Sequence, residues 1–244
     1  MRGLIKKLAW FRQHDELITA NNKCFRYFDG NRKFSDYSYV VYDTELTGLD
    51  RKKDEIIAIG AVRISSLQID LSETFHYYVR PENIDHTQAT LIHKITPEQL
   101  KEAPPLSDVL PRFLEFVGSD LLVGHYVWID TTFLNRATKR FYNGTLANPN
   151  LDTMRMAQIY KRIVLGEFHG SYQSENGGYN LQKLSRDLNL PFFDAHDALE
   201  DALQTAYLFL YLVKKLDKAG ISTLNELFKA GREINWAPLK PDGN

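Results

Sequence analysis

Cysteine is almost missing from this chain: Cys24 is the single one. No intramolecular disulfide can form, and no cysteine cage for zinc can be assembled within one chain. Long apolar runs are also missing. Leu203 to Val213 is short and is followed at once by Lys214 and Lys215, well under the ~20 residues a bilayer-spanning helix requires. The basic N-terminus runs into Trp10-Phe11-Arg12-Gln13-His14-Asp15-Glu16, which is no signal-peptide core. A cytoplasmic protein with no membrane partner is expected. Nor is there a surplus of either charge, since 30 Lys and Arg face 31 Asp and Glu for a net of −1. That balance argues against binding nucleic acid through total charge, but it leaves open an enzyme that grips a few nucleotides with local potential and bound cations.

Low-complexity segments and internal repeats are absent, and 43% hydrophobic with 25% charged residues is the make-up of an ordinary globule. A length of 244 residues suits one α/β domain with modest extensions. We divide it into an N-terminal basic extension (1–36), a main domain (37–219) and a C-terminal helical segment and tail (220–244). The extension carries eight Lys or Arg against four Asp or Glu. Within it Leu4, Leu8 and Phe11 recur at helical spacing over Met1 to Gln13; such a helix can dock on the domain, meet a partner or touch a nucleic-acid backbone.

In the main domain Tyr37 to Tyr42, Ile56 to Ile64 and Leu71 to Val79 read as three strands of a meander ended by Pro81. Leu106, Val109, Leu110, Phe113, Phe116 and Val117 then trace a helical stripe. Leu121 to Gly124 is a short buried strand, and Ile129 to Arg140 the next helix. A further strand is expected near Leu146 and a helix over Asp152 to Arg162 with Asp152 as N-cap. Gly166 to Asn180 is a polar, glycine-bearing loop; helices follow over Leu181 to Leu188, Asp197 to Leu216 and Ile221 to Phe228.

Three short segments carry chemistry. Asp43 and Glu45 stand two apart at a strand end, so period-two geometry sends both to one face. Two anions together repel unless cations bind, or unless both simply face water. His125-Tyr126-Val127-Trp128-Ile129-Asp130 puts an acid in the first turn of a helix, where the dipole favours it whether or not it reaches a cleft. In His196-Asp197-Ala198-Leu199-Glu200-Asp201, Asp197 reads as the helix cap, and Asp201 is the acid placed to act beside a histidine.

Taken in order, these segments resemble the three motifs of the DEDDh (DnaQ-like) 3'–5' exonucleases, the family of the proofreading epsilon subunits of bacterial DNA polymerase III. Asp43-Thr44-Glu45-Leu46-Thr47-Gly48-Leu49 is similar to the first motif, His125 to Asp130 to the second, and His196 to Asp201 to the third, over roughly Tyr39 to Leu212. Ile56 to Val62 is similar to the family's second strand and Ile92 to Thr96 to its substrate-side loop. The chain departs in having Tyr126 where the family has Asn, and Ile129 where it has Phe.

The resemblance implies an RNase H-like α/β fold, a central five-stranded mixed sheet flanked by helices. It implies that Asp43, Glu45, Asp130 and Asp201 hold two Mg²⁺, with Mn²⁺ able to substitute, and that His196 is the general base. Leu46, Thr47 and Leu49 would meet the terminal nucleotide, and His93 and His125 stay outside the catalytic set. The expected substrate is a single-stranded or frayed 3' end, DNA favoured, with release of nucleoside 5'-monophosphates and a polymerase or repair partner. An exoribonuclease with the same site, and a catalytically weak interaction module motivated by Tyr126, are the alternatives.

Overall fold

The computed structural model describes residues 16–82, 95–166, 178–193 and 196–233. The helix expected over Met1 to Gln13, the Ile92 to Lys94 part of the substrate-side loop with His93, and most of the Gly166 to Asn180 loop lie outside them. Five strands form one mixed sheet: β1 (Tyr39–Leu46), β2 (Ile56–Ser65), β3 (Gln68–Tyr78), β4 (Leu121–Gly124) and β5 (Asn150–Asp152), in spatial order β3-β2-β1-β4-β5. The meander β1-β2-β3 is antiparallel, whereas β4 pairs parallel with β1 and β5 parallel with β4. Parallel neighbours need crossovers: α1 (Pro97–Glu102) and α2 (Leu106–Val117) lie on the connection into β4, and α3 (Trp128–Tyr142) carries the chain from β4 to β5, while α4 (Thr153–Ile163), α5 (Leu181–Asp187), α6 (Ala198–Lys218) and α7 (Leu224–Glu233) follow the last strand.

Alternation along β1 sorts the core into two layers. Tyr39 and Val41 pack with Val62, Ile64, Leu121, Val123 and the apolar faces of α4, α6 and α7, while Val40 and Tyr42 pack with Ala61, Leu122 and the faces of α2 and α3. The same alternation carried past the core puts Asp43 and Glu45 on the α6 side and Thr44 on the α3 side. The site is thus a continuation of the core pattern in acidic residues.

Three expectations need correction. No strand forms near Leu146; β5 is Asn150–Asp152, paired Leu122 with Asn150 and Gly124 with Asp152. The third strand starts at Gln68, before Leu71, because Ser66 and Leu67 turn with positive φ and return the chain directly into the ladder. The last helix is Leu224–Glu233, later than Ile221 to Phe228, with Leu224 and Leu227 buried beside Phe34. Phe34 N–H donates to Ser222 O at 3.1 Å and Asn225 N–H to Gly30 O at 3.0 Å, so the segments flanking the main domain close on each other. A helical stretch at 16–24 also docks, through buried Ile18 and through Asn21, whose amide donates to Asn148 Oδ1 at 2.6 Å. No helix of the described residues is long and apolar enough to cross a membrane.

Candidate active site

Strand β1 delivers Asp43 and Glu45, and a glycine on the neighbouring strand delivers their partner. Asp43 is paired with Gly60 on β2, and a Cβ at Gly60 would overlap the Ala198 carbonyl group and Leu199 N. Only a residue without a side chain lets the first turn of α6 sit this low on the sheet. Asp197 caps that turn, its Oδ1 accepting N–H bonds from Leu199 (3.0 Å) and Glu200 (3.1 Å). One turn on, Asp201 faces β1: Asp43, Glu45 and Asp201 each offer a carboxylate oxygen within 4.8 Å of the others.

Such a cluster resists ionisation. Full charges at this spacing repel by roughly 3 kcal/mol per pair at an effective dielectric of about 20. Burial first, then Asp130, Glu45 and Asp201, push Asp43 well above the ordinary carboxylate range. Burial and then Asp201 raise Glu45 to about 7. Burial also raises Asp201, against the opposing His196 N–H bond to its Oδ2 at 3.0 Å. Its Oδ1 is buried and has no hydrogen-bond partner among the described residues. Three convergent carboxylates, one of them with an orphaned oxygen, fit a hard divalent cation, which would supply a missing interaction and pull the carboxyls back into ionised form.

Asp130 arrives from the other layer. It lies in the first turn of α3, and its Oδ1 accepts from Thr44 N–H at 2.9 Å and Thr44 Oγ1–H at 2.6 Å. It is close enough to Asp43 and Glu45 to raise both, and burial raises its own carboxyl to about 7. It stands beside the three-carboxylate cluster rather than within it. His196 sits at the mouth with an exposed side chain and a left-handed backbone, φ 73°.

The first-motif residues divide. Leu46 is buried in the core, so its backbone is what it can offer a ligand; a register shift between Glu45 and Leu46 bends the strand there. Thr47 Oγ1 donates to Asp54 Oδ1 at 2.9 Å and accepts Glu55 N–H at 3.0 Å, while Leu49 is 72% exposed.

Behind the mouth is a polar web that the motif spacing does not reveal. Asp152 Oδ1 accepts both Met154 N–H (3.0 Å) and Tyr126 N–H (3.1 Å), and burial lifts its carboxyl to about 6. Tyr126 is held at φ 54°. His125 Nε2–H donates to Tyr179 O at 2.8 Å and Nδ1 meets Thr153 Oγ1 at 2.8 Å; burial lowers it to about 4, so the ring is a neutral brace. Thr44, Gly60 and Asp152 are the contributors that motif reading passes over. An isolated glycine inside the apolar run Ile59-Gly60-Ala61 is the available signal for Gly60.

Comparison with known proteins agrees with this geometry. The chain is 32% identical to the PolC-type DNA polymerase III of Thermotoga maritima over 225 residues, 92% of this chain but 15% of that protein. It therefore spans a small part of the length of the PolC-type relatives it matches. It is 33% identical to the DNA polymerase III subunit epsilon of Aquifex aeolicus over 181 residues, 74% of this chain and 83% of that one. The fold superposes on E. coli exonuclease I in complex with a dT13 oligonucleotide with a TM-score of 0.63 at 17% identity, covering 75% of this chain and 42% of that one. Residues 40–209 match the RNase T family of exonucleases, and the chain belongs to that family, with the DEDDh (DnaQ-like) 3'–5' exonuclease fold of the epsilon-type proofreading subunits.

Proposed function

We propose that this chain is a metal-dependent 3'–5' exonuclease that removes nucleoside 5'-monophosphates from single-stranded or frayed DNA ends. The observation that carries the reading is the convergence of Asp43, Glu45 and Asp201, with an unpartnered buried oxygen on Asp201, at the end of the sheet. Asp43, Glu45 and Asp201 hold a divalent cation, and Asp130 completes a set for two Mg²⁺, with Mn²⁺ able to substitute. The Thr44 contacts engage Asp130 Oδ1, so Oδ2 is the oxygen it offers. When bound, such cations neutralise charge on the scissile phosphate and make an attacking water more acidic.

The protein's own groups do the rest. His196 is exposed at the mouth and accepts the proton of the attacking water. The water oxygen forms a bond to phosphorus as the P–O3' bond breaks, and the departing O3' takes a proton from solvent, leaving a new 3'-hydroxyl and a released 5'-monophosphate. The His196 N–H bond to Asp201 Oδ2 fixes the base relative to the carboxylates. Leu46 and Thr47 contact the terminal nucleotide through backbone, and the exposed Leu49 presses on its base. Terminal nucleotides must unpair to enter, which favours single-stranded or frayed ends.

DNA is favoured because the relatives are DNA polymerase III proteins and the superposed exonuclease I holds a DNA oligonucleotide. The cellular setting is proofreading or repair in the cytoplasm beside a polymerase. The test uses 5'- and 3'-labelled strands with Mn²⁺, Mg²⁺ or chelator, alongside His196→Ala and a matched RNA strand. The 3' label is expected to leave at once as a mononucleotide while the 5' label shortens stepwise. Internal cuts, cation-independent release, or no release would sink the reading, and faster RNA cleavage would replace DNA by RNA.

A further inference from the structure

At the start of the helix that carries Asp130 is an exposed aromatic side chain that the chemistry above does not use. Trp128, the first residue of α3 and two before Asp130, leaves 37% of its surface open, and the Arg51 guanidinium lies over its ring at 5.5 Å. Arg51 belongs to the loop that leaves β1 directly after the first motif. That loop is closed by Thr47 N–H to Glu55 O (2.9 Å) and by Asp54, whose carboxylate accepts from Thr47 Oγ1–H (2.9 Å) and Asp50 N–H (2.7 Å). It is then pinned to α3 by Arg136, whose guanidinium donates to the carbonyls of Arg51 and Asp54. The result is a fixed ledge presenting an indole and the consecutive cations Arg51, Lys52 and Lys53, all three exposed. Asp50, Asp54 and Glu55 are the anions of this loop, and Glu55 Oε2 accepts Glu82 N–H at 2.8 Å. Asp50 is exposed with its Oδ1 accepting Lys52 N–H at 2.8 Å, and Asp54 is engaged as described, so three exposed cations outnumber one exposed anion on the ledge.

An indole with exposed ring surface binds any nucleobase by stacking, and adjoining cations take the phosphates that link such bases. We propose that Trp128 is a stacking position for a base of the strand being degraded, upstream of the nucleotide in the cleft, and that Arg51 to Lys53 carry the neighbouring phosphates. The inference rests on the nuclease reading for the identity of its ligand. It extends that reading by naming a strand-binding aromatic outside the catalytic set, which would let a chain of near-zero net charge hold single-stranded DNA.

Binding can be read without catalysis, so the two readings fail separately. The full chain is titrated with a 5'-fluorescent oligothymidylate in Ca²⁺, by anisotropy, and with a strand of the same length carrying abasic sites throughout. Trp128→Ala is expected to weaken the oligothymidylate about tenfold, the scale of one stacked base, and Trp128→Phe to recover most of it. On the abasic strand wild type and Trp128→Ala should bind alike. Arg51→Ala should weaken both strands and lower the salt-dependence slope by about 0.7, as for one phosphate contact on a single strand. Equal affinity of wild type and Trp128→Ala for oligothymidylate overturns the proposal, and so does an equal loss on both strands, which would mark Trp128 as structural. Absence of nuclease activity would leave these binding results standing and count against the enzymatic reading alone.

Discussion

Two acidic groups meet at the end of this sheet, and they are built on opposite terms. At the mouth, Asp43, Glu45 and Asp201 face one another with few donors among the described residues: there Asp201 takes one backbone N–H on Oδ2 and none on Oδ1. Behind it, Asp130 is doubly bonded by Thr44, and Asp152 accepts two N–H bonds and lies 3.9 Å from Arg155. The rear acids are met by donors the protein supplies, as buried polar groups usually are. The front acids are left for something the protein does not supply. Asp152, whose partners are internal, is scaffold, and Asp130 spends one oxygen on Thr44 and keeps the other for a cation; a carboxylate that meets few donors is prepared for a ligand.

The widest separation of the two groups should come from exchanging one acid in each. Asp43→Asn is expected to lower nucleotide release at least about a hundredfold, the scale on which losing one charge-stabilising group acts. Its melting temperature in chelator should hold or rise, because a carboxyl whose ionisation is opposed by burial and by neighbouring carboxyls is gone. Asp152→Ala should do the reverse, costing about 1–3 kcal/mol of stability by orphaning the Tyr126 and Met154 N–H groups. A denaturant titration beside the nuclease assay checks both. Asp43→Asn melting well below wild type in chelator would erase the distinction.

Next in size is Gly60→Ala, which attacks the mouth from behind. The new Cβ would meet main-chain atoms of Ala198 and Leu199, not a side chain that could swing away. Overpacking of this kind costs about 1–3 kcal/mol and occasionally more. Because α6 carries Asp201 and follows His196, activity should fall further than stability alone accounts for. Equal activity per folded molecule would show that the close approach matters to packing and not to the site.

Cation linkage gives a smaller effect with a definite sign. Glu45 is raised to about 7, so without cation this carboxyl contributes stability that is present below the unfolded value near 4 and is lost as pH rises through about 7. A cation that binds only the ionised, folded cluster reverses that loss. The Mn²⁺-induced gain in melting temperature over chelator should therefore be near zero at about pH 5 and grow through about pH 7. His125, lowered to about 4, works in the opposite direction at acid pH but cancels in the difference. A gain that is flat across this range would remove the carboxylates from the binding site.

Much of this is legible from residue order. The meander, the strand Leu121–Gly124 and the caps Asp152 and Asp197 follow from periodicity and capping pattern, and the grouping of Asp43, Glu45 and Asp201 follows from the family resemblance. Strand β5 escapes such reading because Asn150-Leu151-Asp152 has no strand pattern of its own and exists through parallel pairing with β4. Helix α1 goes unread although Thr96-Pro97-Glu98-Gln99 spells a reciprocal cap, with Gln99 N–H on Thr96 Oγ1 and Thr96 N–H on Gln99 Oε1. The tether of Asp130 to Thr44 depends on which face of β1 each residue takes relative to a helix far along the chain, and no local window contains that.

The smallest effect concerns the residue where this chain departs from its family. Tyr126 holds a left-handed backbone, φ 54°, where the family pattern has Asn, the non-glycine residue that tolerates that region best. Replacement by Asn alone is ambiguous, because it relieves the backbone while removing a ring set edge-on to His125 at 5.0 Å. The pair Tyr126→Asn and Tyr126→Ala separates the two, since both lose the ring and only Asn suits the backbone. Asn should be the more stable of the pair by about 1 kcal/mol, read from denaturant midpoints at equal slope. The Tyr126 N–H bond to Asp152 is a main-chain bond and should survive in both, keeping the rear web intact. Equal midpoints would mean that the left-handed turn is set by Asp152 and the packing of His125 rather than by the residue at 126, and the scaffold half of the site would then be stiffer than its own sequence requires.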